Sequence, residues 1–245
     1  YIGSATTPYW KFADNQWDCL GTDQEGESQT VDRDLFGWGT SGYNHGATCY
    51  QPWSTSTTDS DYYAYGSSTC NLYDQTGKAD WGYNAIINGG NTENSGWRTL
   101  TNEEWDYVFD TRRTESGLLY AKATVNNVNG VILLPDDWVY EYYILSKINT
   151  PSASYSSNTI SETQWSTLEQ HGAVFLPAAG DRSGASVNNA GSKGSYWSAS
   201  YFEGAADFDF EIYGAWLAGF KVDGVYDDIS GRDNGLSVRL VRSAE

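Results

Sequence analysis

A chain of 245 residues with 39% hydrophobic residues can bury a core of its own, yet it has no apolar run near the ~18 residues that a membrane-spanning helix needs. Its formal charge of −18, from 14 basic and 32 acidic residues, argues against nucleic acid and anionic membrane surfaces, which are bound through Lys and Arg. The acidity suits a cationic partner, a carbohydrate or a metal ion, and it also simply keeps an extracellular protein soluble. With 11 Trp and 19 Tyr, there are enough rings to fill a core and still furnish a contact surface.

In chain order, Tyr9–Asp18 (YWKFADNQWD) reads as a short aromatic-lined strand followed by a turn, and residues 21–33 as a polar loop. Asp23, Glu25 and Glu27 offer oxygen ligands, but a solvated acidic loop is the simpler reading. Asp34–Gly42 (DLFGWGTSG) places glycines on both sides of Trp38, where tight turns and close backbone approach are allowed. Residues 43–80 form a polar insertion with few aliphatic residues, unusually long for a compact domain. A disulfide between Cys49 and Cys70 would pin it; aromatic packing or an ion are the alternatives. Cys19 is then left over and expected to be buried. A catalytic thiol needs a base, and His45 and His171 sit in no recognisable catalytic motif. No Cys/His set has metal-ligand spacing, so neither metal nor cofactor is expected.

Two helix starts follow. In LTNEEW, Thr101 caps, Glu104 answers as the capping-box partner, and Leu100 and Trp105 form the hydrophobic staple. Trp105, Val108 and Phe109 share a face, and Arg112 and Arg113 fall at the C-terminal end. ISETQW repeats the pattern with Ser161, Gln164, Ile160 and Trp165; Leu168 continues the face and Gly172 stops the helix. Leu118–Val125 and Val131–Leu134 read as strands joined by a turn over Asn126–Gly130, and Ala173–Leu176 as another, stopped by Pro177. Further strands are expected at Ser195–Ser200, at Phe208–Ile212, at Trp216–Val222 and at a closing Leu236–Val241. Short strands with two secure helices predict an α+β fold, with the helices packed outside small antiparallel sheets.

At GWRTLTNEEW, GVILLPDDW, AVFLPAAGDRSG, GSYWSAS and GLSVRLVR, in that order, the chain resembles surface proteins of gut Bacteroidales and their phages that carry a formylglycine-generating-enzyme-like C-type lectin fold. Some members of that family are the variable proteins of diversity-generating retroelements. DLFGWGTSGYN and ADWGYNAI extend the likeness over most of the chain. The resemblance implies one C-type-lectin-like domain over residues 1–245, with the insertion at about 43–80 and a variable ligand-binding region at about 195–234. It implies a fixed frame of Gly194, Tyr196, Trp197, Ser198, Ser200 and the closing strand through Arg239 to Arg242. The positions it nominates for ligand contact are Ser195, Tyr201, Phe202, Glu203, Ala205, Ala206, Asp209, Glu211, Tyr213, Ala215, Trp216, Val222, Asp223, Val225, Tyr226, Asp227, Asp228, Asp233 and Asn234.

Composition agrees in part. Residues 201–234 mix Phe, Tyr and Trp with Asp, Gly and Ser, as adaptable paratopes do. Phe208, Phe210 and Phe220 are expected in the core, and Tyr201, Phe202, Tyr213, Trp216 and Tyr226 at the surface. Arg232, Arg239 and Arg242 are expected to hold carboxylates or carbonyls with rigid forks. The expected function is a surface-displayed receptor or adhesin for a protein or glycan target. The alternative is a fixed-specificity structural or adhesion subunit of a pilus or phage tail. The resembling oxidase relies on cysteines near the end of its domain, whereas here all three cysteines precede residue 71, so no enzyme is expected. Asp136 and Asp137 read as turn acids rather than a hydrolase pair. The calcium-binding triplets of C-type lectins, Glu or Gln with Pro and Asp or Asn, are absent. The start at Tyr1, with no signal peptide in view, reads as a mature or trimmed start compatible with loss of a leader or lipid anchor, and the chain is expected at the cell surface or on a virion.

Overall fold

The computed structural model describes residues 10–24, 32–62, 69–74, 77–89, 96–203 and 213–243. Strand β1 (Arg98–Thr99) leads into helix α1 (Asn102–Asp106), and the capping box expected there is complete. The Thr101 hydroxyl accepts from the Glu104 N–H at 3.2 Å, and the Glu104 carboxylate accepts from the Thr101 N–H at 2.9 Å. Glu104 also takes both arms of the Arg98 guanidinium, at 2.5 and 2.6 Å. The helix then widens into a π turn over Tyr107–Thr111, and Trp105 stacks on Phe109 at 5.9 Å.

Strands β2 (Tyr120–Val125) and β3 (Val128–Leu133) form an antiparallel hairpin. Its turn is only Asn126 and Asn127, at φ +45° and +68°, a primed two-residue geometry that Asn tolerates. The strand therefore begins earlier than the expected Asn126–Gly130 turn allows. Strand β4 (Thr159–Ile160) pairs in parallel with β2, and helix α2 (Glu162–Gln170) follows on a second full capping box, Ser161 with Gln164. Gly172, at φ +82°, ends that helix, and β5 (Val174–Pro177) returns antiparallel to β3. The four-stranded order is β4-β2-β3-β5. Both faces are buried. Ala121, Ala123, Val125, Ile132 and Phe175 pack with Trp165 and Leu168 of α2. Tyr120, Val131 and Leu176 point the other way, into a cluster that includes Trp105, Tyr196 and Phe220.

After a small hairpin, β6 (Asp181–Ser183) and β7 (Ser186–Asn188), the chain builds a second sheet from β8 (Gly194–Glu203), β9 (Tyr213–Lys221) and β10 (Gly224–Gly231), with β9 central. Alternation again divides its faces. Trp197, Ala199, Ala215 and Leu217 enter a cluster with Phe36, Trp38, Leu72, Trp81 and Leu236, and Tyr196, Ala218 and Phe220 face the four-stranded sheet and α1. The Phe220 ring lies where a Cβ on Gly194 would sit, 2.2 Å from its nearest carbon, so this register needs glycine there. Lys122 of β2, fully buried, ties the two sheets: its ammonium donates to the carbonyls of Pro151, Lys221 and Val222 and lies over the Tyr155 ring. Burial pushes its pKa down. The closing strand is shorter than expected. Only β11 (Leu240–Val241) pairs, with β1, while Leu236 and Ser237 make single bridges to Phe36 and Tyr196.

In the N-terminal third, Trp10 bridges Ile86, and residues 11–20 form turns and coil rather than the expected strand. Cys19, Cys49 and Cys70 are all free thiols, so the expected Cys49–Cys70 bridge is not what pins the insertion. Arg182 does so instead, donating to the Ser54 carbonyl at 3.1 Å, and within the insertion the fully buried Tyr62 sets its hydroxyl 2.9 Å from Ser54 Oγ and 3.1 Å from the Ser56 carbonyl. The Leu72 N–H adds a bond to the Ala199 carbonyl at 2.9 Å. Among the described residues, no helix is long and apolar enough to cross a membrane.

Candidate functional site

The site grows out of an irregularity in β8. Between the pairs Trp197–Leu217 and Tyr201–Ala215, β8 advances four positions while β9 advances two. The bulged Ser198–Ser200 segment turns its backbone to other partners. The Ser198 carbonyl accepts the Trp38 indole N–H at 2.8 Å, and the Ala199 N–H donates to the Leu100 carbonyl at 2.7 Å. The Ser200 hydroxyl accepts the Asn102 N–H at 3.1 Å, and the Tyr201 N–H donates to Asn71 Oδ1 at 3.0 Å. The bulge thus fixes the start of α1 on one side of Tyr201 and the 70–74 loop on the other.

Between those walls lies a pocket of about 410 Å³ lined by Asn71, Tyr73, Glu103, Ser200, Tyr201, Phe202 and Trp216. Phe202 and Trp216 meet edge to face, with centroids 5.4 Å apart and planes at 85°. Trp105 covers the neighbouring Ala218–Phe220 half of this sheet face. Beyond that helix, where Trp216 is partly exposed among the described residues, lies the pocket. Tyr73 is half exposed, and Glu103, Asp106 and Asp110 of the helical segment are exposed, as are Asp227 and Asp228 of β10. Burial raises the Asp106 carboxyl above the ordinary value, with Asp227, Glu103 and Asp110 adding repulsion. Asp74, Glu103 and Tyr201 act likewise on the Tyr73 phenol, after burial.

Of the nominated contact positions, Tyr201, Phe202 and Trp216 line the pocket, and Asp227 and Asp228 lie exposed on β10. Val222 and Asp223 are exposed in the β9–β10 turn, away from the pocket lining, and Tyr213, Val225, Tyr226, Asp233 and Asn234 are half-buried. Ser195 and Ala215 must be corrected: both are fully buried, because each lies on the face of the sheet that also carries Trp197 and Leu217 into the core. Ala205, Ala206, Asp209 and Glu211 lie outside the described residues, as do Phe208, Phe210, Glu25 and Glu27. Glu203 is described only as the last residue of β8, opposite Tyr213. Phe220 is buried as expected. Sequence reasoning missed Asn71, Tyr73 and Glu103, whose only signal was polar or aromatic character in segments that meet β8 through long-range contacts.

Arg232 is buried with its guanidinium over the Trp38 ring at 4.5 Å and donates to the Gly214 carbonyl at 3.0 Å. Arg239 donates to Gln16 Oε1 at 3.3 Å, and Arg242 lies over Trp97 at 5.0 Å. All three therefore brace the frame. Asp136 accepts from Arg112 at 3.1 Å in an exposed turn, with Asp137 exposed beside it. No family model matches the chain, and neither a curated protein nor a solved structure matches it.

A larger cleft of about 1040 Å³ has Cys19, Asp34, Trp97, Glu169 and Arg239 among its lining residues. Burial and then the neighbouring Asp34 push the Cys19 thiol up to about 11, and among the described residues no histidine lines the cleft. Among the described residues, no group of three His, Cys, Asp or Glu side chains is placed to hold a metal ion.

The carboxyl shifts carry a pH prediction. Burial raises Asp34, Asp80 and Asp233 as well as Asp106, while the hydrogen bonds from Arg98 lower Glu104. A raised carboxyl destabilises the native state at neutral pH, and that penalty is relieved as pH falls through the raised folded value towards the ordinary 3.8. Glu104 acts oppositely: its contribution is present above 4.5 and lost as pH falls through its lowered value. Four groups against one predict that Tm rises as pH is lowered from neutral towards the ordinary carboxyl values, with a smaller gain in Asp80→Asn. A Tm that falls steadily as pH is lowered over that range would contradict the balance.

Proposed function

We propose that the chain is a ligand-binding module on a C-type lectin fold of the formylglycine-generating-enzyme-like kind. It acts as the variable protein of a diversity-generating retroelement, displayed on a cell surface or virion, and it is not an enzyme. The carrying observation is a division within the β8–β9 pair. Trp197, which the resemblance nominates as frame, is fully buried, whereas Tyr201, Phe202 and Trp216, nominated for contact, line an open pocket. A surface that changes its side chains without unfolding needs this separation, since core substitutions cost several-fold more stability than surface ones. Tyr and Trp also give large rigid contact at small entropic cost. The neutral Cys19 thiol supports the non-catalytic reading.

Deep sequencing of this gene across its source population tests the proposal. Dense substitution is expected at the codons for Tyr201, Phe202, Trp216, Asp227 and Asp228, with Trp197, Ser195, Ala215 and the 236–242 segment fixed. Variation spread evenly and dominated by silent changes would remove the retroelement assignment. It would favour a fixed-specificity adhesin or a pilus or tail subunit.

A further inference from the structure

Taking the β8–β9 face as the binding surface, we propose that the pocket at Trp216 receives a cationic side chain, arginine in preference to lysine, from a basic segment of a protein partner. The lining supplies what a guanidinium needs. Tyr73, Tyr201, Phe202 and Trp216 line the pocket, and among the described residues no basic side chain does. Ring faces attract cations through their quadrupoles, most strongly when the site is partly desolvated. The edge-to-face contact of Phe202 with Trp216 holds one ring against the other, so the cage is formed before the ligand arrives. Glu103 on the pocket wall offers a carboxylate to the fork that an arginine presents, while the planar group stacks on a ring; an ammonium can do only the first of these as a point charge.

The surroundings extend the argument from one side chain to a segment. Asp106 and Asp227 face each other closely enough for each other's charge to matter, with Asp110 and Glu103 beside them. These acids come from two elements, α1 with its π turn and β10, and both flank the pocket. Lys221 is taken up by Asp223 at 3.5 Å, at the turn. A single amine would fill the pocket and leave this acidic rim uncompensated. Successive basic residues would meet both. The pocket's 410 Å³ lies near the small end of ligand sites, roughly 300–1,000 Å³, which fits a side chain better than a cofactor. The net charge of −18 steers the same class of partner and repels acidic ones.

The test pans a random 12-residue peptide phage library against the whole immobilised chain, with a neutral and amino-sugar glycan array run in parallel. The expected peptides share an arginine and bind less well as salt is raised. Trp216→Ala should weaken them about tenfold or more and Glu103→Gln about fivefold, with Trp216→Phe retaining most of the affinity. Near-ultraviolet circular dichroism and Tm establish that each variant is folded. Enriched peptides without basic residues that still depend on Trp216 would overturn the cation assignment and leave the binding face intact. Glycans bound in place of peptides and lost in Trp216→Ala would do the same. Binding that ignores Trp216, or none to either library, would overturn both this inference and the assignment of the face.

Discussion

Gly82→Ala is expected to abolish folding or to cost more than about 4 kcal/mol, far beyond the usual effect of one added methyl group. A Cβ at this position would lie 1.6 Å from the Trp97 carbonyl oxygen and 2.3 Å from its carbon. Those are backbone atoms, so no rotamer change relieves the overlap, and one of the two segments must move. Neither can move cheaply. Asp80, just before the 3₁₀ turn Trp81–Tyr83, accepts the Thr99 N–H at 2.8 Å, the Thr99 hydroxyl at 2.6 Å and the Trp81 N–H at 2.7 Å. The Trp97 indole N–H donates to the Gly89 carbonyl at 2.9 Å. Separating the segments therefore breaks buried hydrogen bonds to a carboxylate and pulls Trp81 from its cluster with Phe36 and Trp197. Gly224→Ala is the control, because the nearest contact there is the Tyr226 ring at 3.9 Å; it should change stability by less than about 1 kcal/mol. Urea unfolding of the two variants measures the difference. A Gly82→Ala protein with wild-type stability would refute the packing of the 80s turn against β1.

The features that sequence made legible are those whose causes lie within a few residues. Both capping boxes formed because Thr101 with Glu104 and Ser161 with Gln164 satisfy each other across one turn. The β2–β3 hairpin was readable for the same reason, although its two-residue turn is tighter than the Asn-rich run suggested. Strand β10 was missed because Tyr226, Asp227 and Asp228 carry little apolar pattern; pairing with β9 organises them. The faces of Ser195 and Ala215 were misread because small residues on the Trp197 face of the sheet point inward without any alternation of polarity to mark them. Lys122 and Arg182 gave no sign of burial, since they reach backbone carbonyls far away in sequence. The pocket was half legible. Tyr201, Phe202 and Trp216 announce themselves by composition, whereas Asn71, Tyr73 and Glu103 join them only through the bulge at Ser198–Ser200.

The second large effect concerns the residue that begins that bulge. Trp197→Ala should destabilise the chain by about 3–5 kcal/mol, the range for deleting a large aromatic side chain from a core. Trp197 has no solvent exposure and packs against residues from the N-terminal third and from β9. Its indole N–H donates to the Phe36 carbonyl at 2.6 Å, its carbonyl accepts the Trp105 indole N–H at 3.3 Å, and its own N–H donates to the Ser237 carbonyl at 3.0 Å. One side chain and its peptide groups therefore hold the N-terminal third, α1 and the closing segment to β8. Trp197→Phe keeps most of the packing and loses only the indole bond to the Phe36 carbonyl, which still accepts from the Leu236 N–H at 3.0 Å, so it should cost less, about 1–2 kcal/mol. Trp216, on the opposite face of the same sheet and partly exposed at the pocket, should lose less than about 1.5 kcal/mol on truncation. Denaturant midpoints for the three variants, read beside peptide binding, separate the two roles. Trp197→Ala should lose stability and binding together, Trp216→Ala binding with only a small change in stability. Equal stability losses at the two tryptophans would mean that the pocket rings are themselves part of the frame, and a surface built that way could not be rewritten without unfolding the chain.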